Sequence, residues 1–263
     1  MPIGIRYDTG IVTSPIIQFA FGAAVFFVAG LAKGVSGLGL PTVGIGLLSL
    51  AMSPAEAAAL MIVPALITNI WQMLSGPGLW RLVRRLWLME LGVCLGVWIG
   101  ADLMTGSKTE FASVALGIAL MAYAATGLMK AHVPRVPGRT EWWLGTFVGG
   151  ATGLITATTG VFVIPAVPYL QALRFPREAF GKALGLSFTV STIALACSLG
   201  ASGSLDRSSG AYSLLALFPA LVGMAAGQRL LRMMRPATFQ RWFFSGLMLL
   251  GAHLAIRGIW GIG

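Results

Sequence analysis

The stretch Ala29-Gly30-Leu31-Ala32-Lys33-Gly34-Val35-Ser36-Gly37-Leu38-Gly39-Leu40-Pro41 breaks an apolar run with small residues and one cation. The hydrophobic pattern then resumes and meets Pro54-Ala55-Glu56-Ala57. Further along, Gly149-Gly150-Ala151-Thr152-Gly153-Leu154-Ile155-Thr156-Ala157-Thr158-Thr159-Gly160 does the same before Pro176-Arg177-Glu178-Ala179, 122 residues beyond the first such mark. The chain thus contains an internal repeat. Short apolar segments interrupted by Gly or Pro at matching places of two halves point to a ligand site where the halves meet.

Composition sets the solvent. With 57% hydrophobic and 10% charged residues and a mean hydropathy of +0.85, a chain of 263 residues does not make a water-soluble domain. Within a bilayer each backbone polar group must be satisfied inside its own segment, so helices or a closed barrel are required. Runs such as Leu86 to Met104 do not alternate, which excludes the barrel. Hydropathy places candidate membrane segments at 15–33, 39–52, 55–74, 86–104, 110–129, 142–159, 161–173, 179–200, 210–228 and 239–256. The second and seventh are too short to cross, and each is expected to pair with the helix before it as a re-entrant hairpin.

The net charge of +10 would suggest nucleic acid in a soluble protein; here the basic residues lie between apolar runs and report topology. If each hairpin enters and leaves on one side, thirteen cations gather on one face: Arg81, Arg84, Arg85, Lys130, Arg135, Arg139, Arg174, Arg177, Lys182, Arg229, Arg232, Arg235 and Arg241. The other face holds Arg6, Lys108, Arg207 and Arg257. By the positive-inside rule both termini are expected to be periplasmic. Each half then crosses an odd number of times. The expected fold is all-α integral membrane, an inverted-topology repeat whose halves each hold a hairpin and three transmembrane helices. The first repeat spans 1–130, a cytoplasmic linker 131–141 and the second repeat 142–263.

Lys33 is the remaining cation and falls at the first tip. An intramembrane charge is a functional-site hypothesis by default, although a long side chain near a helix end also snorkels to the surface. Gly34, Ser36, Gly37 and Gly39 let backbone N–H groups approach a ligand, and half-helix N-termini favour negative charge. The second tip offers the hydroxyls of Thr152, Thr156, Thr158 and Thr159, which donate either to an oxyanion or to their own helix backbone. Asn69 and Ser191 occupy repeat-related positions and serve as further site candidates or as interhelical glue, as do Thr68, Ser187, Thr189 and Thr192.

The remaining residues carry less chemistry. Glu56 and Glu178 read as helix caps, and Glu90 and Asp102 as solvated groups near segment ends with proton coupling as the alternative. Cys94 and Cys197 read as small core residues, and the eight tryptophans as interfacial belts. His132 and His253 are isolated, and no cluster has metal-ligand spacing, no nucleophile elbow and no Walker sequence occurs. No cofactor and no enzymatic activity are expected. One Arg before the first run, without a small-x-small cleavage site, argues against a removed signal peptide.

The duplicated arrangement of Gly30 to Pro54 and Gly149 to Pro176 resembles the sulfite exporter TauE/SafE family, also called the toluene sulfonate uptake permeases. The resemblance covers essentially the whole chain. Gly34-x-x-Gly37-Leu38-Gly39 looks like a loosened form of that family's glycine cluster, and Thr156 to Gly160 departs further by using threonines. It implies a carrier in the bacterial inner membrane moving sulfur-containing anions such as sulfite or organosulfonates by alternating access. An anion channel or a carrier of small organic carboxylates is the alternative. The implied partners are a small anionic substrate and the lipid bilayer, with no nucleic acid.

Overall fold

The computed structural model describes residues 15–101, 103, 109–129, 133–205, 207–233 and 236–260. Among them it contains helices and no strand: α1 (Pro15–Ser36), α2 (Leu40–Leu48), α3 (Pro54–Leu74), α4 (Leu79–Ile99), α5 (Thr109–Leu128), α6 (Glu141–Thr159), α7 (Ala166–Ala172), α8 (Arg177–Ala201), α9 (Arg207–Met233) and α10 (Pro236–Ile259). Six of these, α1, α3, α5, α8, α9 and α10, are long and apolar enough to cross a membrane. The short elements are shorter than the hydropathy suggested. Nine-residue α2 rises about 13 Å at 1.5 Å per residue, well under a bilayer's hydrocarbon thickness. Its partner α1 has 22 residues, so the hairpin arms are unequal.

Local chemistry accounts for the boundaries. Ser53 and Glu56 form a capping box at the start of α3, where Ser53 N–H donates to Glu56 Oε2 at 2.9 Å and Glu56 N–H donates to Ser53 Oγ at 3.3 Å. This is the cap expected of Glu56. Helix α4 begins earlier than the apolar run because Gly78, at φ 91°, caps it and Arg81, Arg84 and Arg85 fill its first turns. Inside α3, Pro64 has no N–H for the Leu60 carbonyl. Ser213 of α9 donates its hydroxyl to Leu60 O at 2.7 Å and accepts the Val63 N–H at 3.3 Å, so the defect is satisfied from a neighbouring helix.

The helix pairing follows the repeat. The most extensive contacts are α4 with α6 and α1 with α9, then α5 with α10 and α3 with α8. Exchanging the halves, α1 for α6, α3 for α8, α4 for α9 and α5 for α10, turns α1·α9 into α6·α4 and leaves the other two pairs unchanged.

Paired small-xxx-small motifs make the two outer crossings. Gly30 and Gly34 of α1 lie against the carbonyls of Ala220 and Met224, while Gly223 and Gly227 of α9 lie against those of Phe27 and Leu31. In the other half Gly149 and Gly153 of α6 meet the Met89 and Val93 carbonyls, and Gly92 and Gly96 of α4 meet those of Thr146 and Gly150. A Cβ at any of these positions would overlap backbone, so glycine is what allows the helices to touch.

Two side-chain expectations are corrected. Cys94 and Cys197 face outward on α4 and α8 instead of filling the core; on α4 the inward contacts are made by Gly92 and Gly96. Lys182, expected in a cytoplasmic loop, is buried on α8 and donates from Nζ to the Pro77 carbonyl of the α3–α4 turn. The eight tryptophans are all exposed on the protein surface, as membrane-facing residues would be.

Candidate functional site

The first break follows from glycine. Gly37 at φ 71° ends α1 by donating its N–H to Lys33 O at 2.7 Å, and Gly39 at φ 93° opens α2 with Pro41 in its first turn. Positive φ is where glycine has no Cβ penalty. Ser36 Oγ stays within the break, bonding Ala32 O and Leu38 O at 2.8 Å and accepting the Leu38 N–H at 3.1 Å. Gln72 Nε2 of α3 braces it by donating to Gly37 O at 3.2 Å. No side chain caps α2, so its first-turn N–H groups face their surroundings without a side-chain acceptor.

Lys33 lies in the last turn of α1 and is 5% exposed, so it does not snorkel. Its Nζ donates to Asn69 Oδ1 of α3. Asn69 is fully buried, and its Nδ2 reaches Thr192 Oγ1 of α8 at 3.5 Å; Thr192 donates in turn to Phe188 O at 2.6 Å. The Phe188 ring packs on Phe162, 5.0 Å between centroids, and Phe162 stands in the second break between α6 and α7. A polar line therefore runs from the first broken helix through α3 to α8, and a ring contact joins α8 to the second break.

The second tip behaves differently. Thr156 donates to Thr152 O at 2.8 Å, Thr159 to Ile155 O at 2.6 Å, and Thr158 to Leu154 O and Ile155 O at 3.1 and 3.0 Å. These hydroxyl protons are held by their own helix, the backbone alternative open at the sequence level. Gly34 packs against α9 and shapes the helix crossing, and no hydrogen bond among the described residues joins Thr156, Thr158 or Thr159 to Lys33 or Asn69. Ser191, the repeat partner of Asn69, is fully buried and has no hydrogen-bond partner among the described residues.

Sequence reasoning missed two groups and misplaced a third. Thr42, in the first turn of α2, is fully buried with an unpartnered hydroxyl; its signal was a threonine directly after Gly39-Leu40-Pro41. Gln72 lies one helical turn beyond Asn69, so its side chain falls on the same face of α3. Glu90, read as solvated near a segment end, is buried at 8% exposure, because α4 starts at Leu79 and places it mid-helix against α6 and α8. Asp102 lies outside the described residues.

The repeat also shows where the halves diverge. Gly30 and Gly34 correspond to Gly149 and Gly153, an offset of 119, which pairs Lys33 with Thr152. The cation is therefore a property of one half alone, and the site it makes is electrostatically lopsided. The Lys33 Nζ is buried and held by the neutral amide of Asn69, with no acidic partner among the described residues.

No curated protein and no solved structure matches the chain. The sequence model of the sulfite exporter TauE/SafE family matches residues 22–254, a span that contains both breaks and every residue of the polar line. The chain belongs to the sulfite exporter TauE/SafE family.

Proposed function

We propose that the protein is a secondary carrier of sulfur-containing oxyanions, sulfite or organosulfonates, in the bacterial inner membrane, with its halves inverted and both termini periplasmic. The observation that carries this reading is the buried Lys33–Asn69–Thr192 line, which joins a cation in one half to a central helix of the other. In the bound state the anion takes the Lys33 ammonium, the open N–H groups at the start of α2 with the Thr42 hydroxyl, and the unpartnered Ser191 hydroxyl. The back-bonded threonines shape the second tip and do not donate to the cargo.

Alternating access then consists of one half rocking against the other about α3 and α8, one of the two contacts that exchange of the halves leaves in place. An anion crossing outward is assisted by an inside-negative potential by about 2.3 kcal/mol per charge per 100 mV, so accumulation inward needs a coupled ion. Purified protein in liposomes tests the carrier reading. Saturable sulfite or alkylsulfonate uptake that is accelerated by the same anion on the far side supports it; conductance near ion-diffusion rates means an anion channel instead. Preferential movement of small carboxylates over sulfur anions reassigns the substrate.

A further inference from the structure

Among the described residues Glu90 is the only buried acidic side chain, and neither of its carboxylate oxygens has a hydrogen-bond partner. Ser187 of α8 comes close enough to interact with it, yet its fully buried hydroxyl also completes no hydrogen bond. Ser191, one turn further along the same face of α8, is in the same condition. Two unpartnered polar groups, the Glu90 carboxyl and the Ser187 hydroxyl, thus meet where α4 packs on α8.

Among the described residues the surroundings supply no counter-charge. The face that α6 turns toward α4 is made of Gly149 and Gly153, and Gly145 beside Met89 meets the Tyr169 hydroxyl, which donates to Glu141 O. On α4 the nearest titratable groups are Cys94, one turn on, and Arg85, which is paired with Glu141 at 2.5 Å. On α8 they are Cys197, which faces Cys94, and Lys182, which is bonded to Pro77 O. A carboxylate buried without a donor or a cation is strongly disfavoured.

We propose that Glu90 is a proton-binding site whose loading accompanies anion binding, so that proton and anion cross together. This rests on the carrier reading given above. A proton from water on the open side adds to one Glu90 oxygen, and the new O–H donates to Ser187 Oγ; on the far side the proton returns to water and the carboxylate is restored. Helix α8 couples the events, because Ser187 faces Glu90 while Thr192, five residues on and about 7 Å further along the axis, holds the Asn69 that binds Lys33. An occluded state with the anion on Lys33 and a neutral Glu90 buries little net charge, whereas an ionised Glu90 would add an uncompensated negative charge.

The test uses full-length protein in liposomes with a trapped pH indicator and methanesulfonate as the probe, an anion that stays ionised and so carries no proton itself. Wild-type protein should acidify the lumen as methanesulfonate enters. Glu90→Gln, an isostere of the protonated acid, should retain methanesulfonate counterflow to within about threefold and lose the acidification. Methanesulfonate entry without acidification in wild type, or acidification retained in Glu90→Gln, overturns the proposal. If wild-type protein moves no sulfur anion, the carrier reading fails by itself, and infrared difference spectra of wild type minus Glu90→Gln across a pH titration then decide the proton site. A carboxyl band that appears and vanishes only in wild type supports it, and identical spectra overturn it.

Discussion

Asn69 stands between two partners, accepting from Lys33 Nζ through Oδ1 and reaching Thr192 Oγ1 at 3.5 Å through Nδ2, so a single amide joins α1, α3 and α8. The amide is the sole hydrogen-bonding partner of the Lys33 side chain among the described residues. Its loss strands a buried ammonium, whereas loss of both ends leaves an apolar contact.

Asn69→Ala should therefore lower stability by about 2 kcal/mol or more, read as a depressed unfolding midpoint in detergent. Lys33→Met combined with Asn69→Leu should recover most of that loss, because replacing both partners of a buried polar pair is far milder than removing one. A double variant no more stable than Asn69→Ala alone would show that Asn69 acts through something other than Lys33.

The glycine crossings predict position-specific intolerance. Alanine at Gly30 or Gly153 places Cβ into a carbonyl of the facing helix, with Val97 N also 2.7 Å away at Gly153, and should destabilise by several kcal/mol or abolish folding. Alanine at Gly22, which has nothing within 4 Å, should be neutral or stabilise by up to about 1 kcal/mol through helix propensity. Thermal unfolding of the three variants checks the contrast.

Ser213 matters because of Pro64. Ser213→Ala should cost about 1 kcal/mol by leaving the Leu60 carbonyl unmet. On a Pro64→Ala background, where residue 64 regains an N–H for that carbonyl, the same change should be close to neutral. Equal losses on both backgrounds would separate the hydroxyl from the proline.

The second half of the site separates free hydroxyls from committed ones. Ser191→Ala should raise the KM for sulfite about tenfold, the effect of one hydrogen bond to a charged group. Thr156→Val, whose hydroxyl proton is held by Thr152 O, should change it less than threefold. The reverse order, in uptake measured on liposomes, would return the donor role to the threonines.

Much of this architecture was legible before any coordinates. Long apolar runs and repeated Gly/Pro breaks locate the helices, because the bilayer forces each segment to satisfy its own backbone. Lys33 and Asn69 stood out individually, as a charge and an amide in apolar helices are expensive without a partner. What stayed hidden depends on rotation and on contact between helices. Hydropathy cannot tell which face of α4 meets α6, so Glu90 read as solvated and Cys94 as core when the structure has them the other way round. Nor does a threonine count reveal where each hydroxyl proton goes. The helix backbone competes for it locally, and Thr156, Thr158 and Thr159 all yield to that competition. The glycine motifs of α1, α4, α6 and α9 were present as letters, but their reciprocal pairing exists only once the halves have packed.

The most direct measurement is the concentration dependence of sulfite uptake by liposomes holding wild-type protein or Lys33→Met, with unfolding midpoints recorded alongside to show that both are folded. Removal of the ammonium should weaken apparent affinity at least tenfold while the variant remains folded. Unchanged affinity in a folded Lys33→Met protein would contradict the assignment of Lys33 as the group that receives the anion.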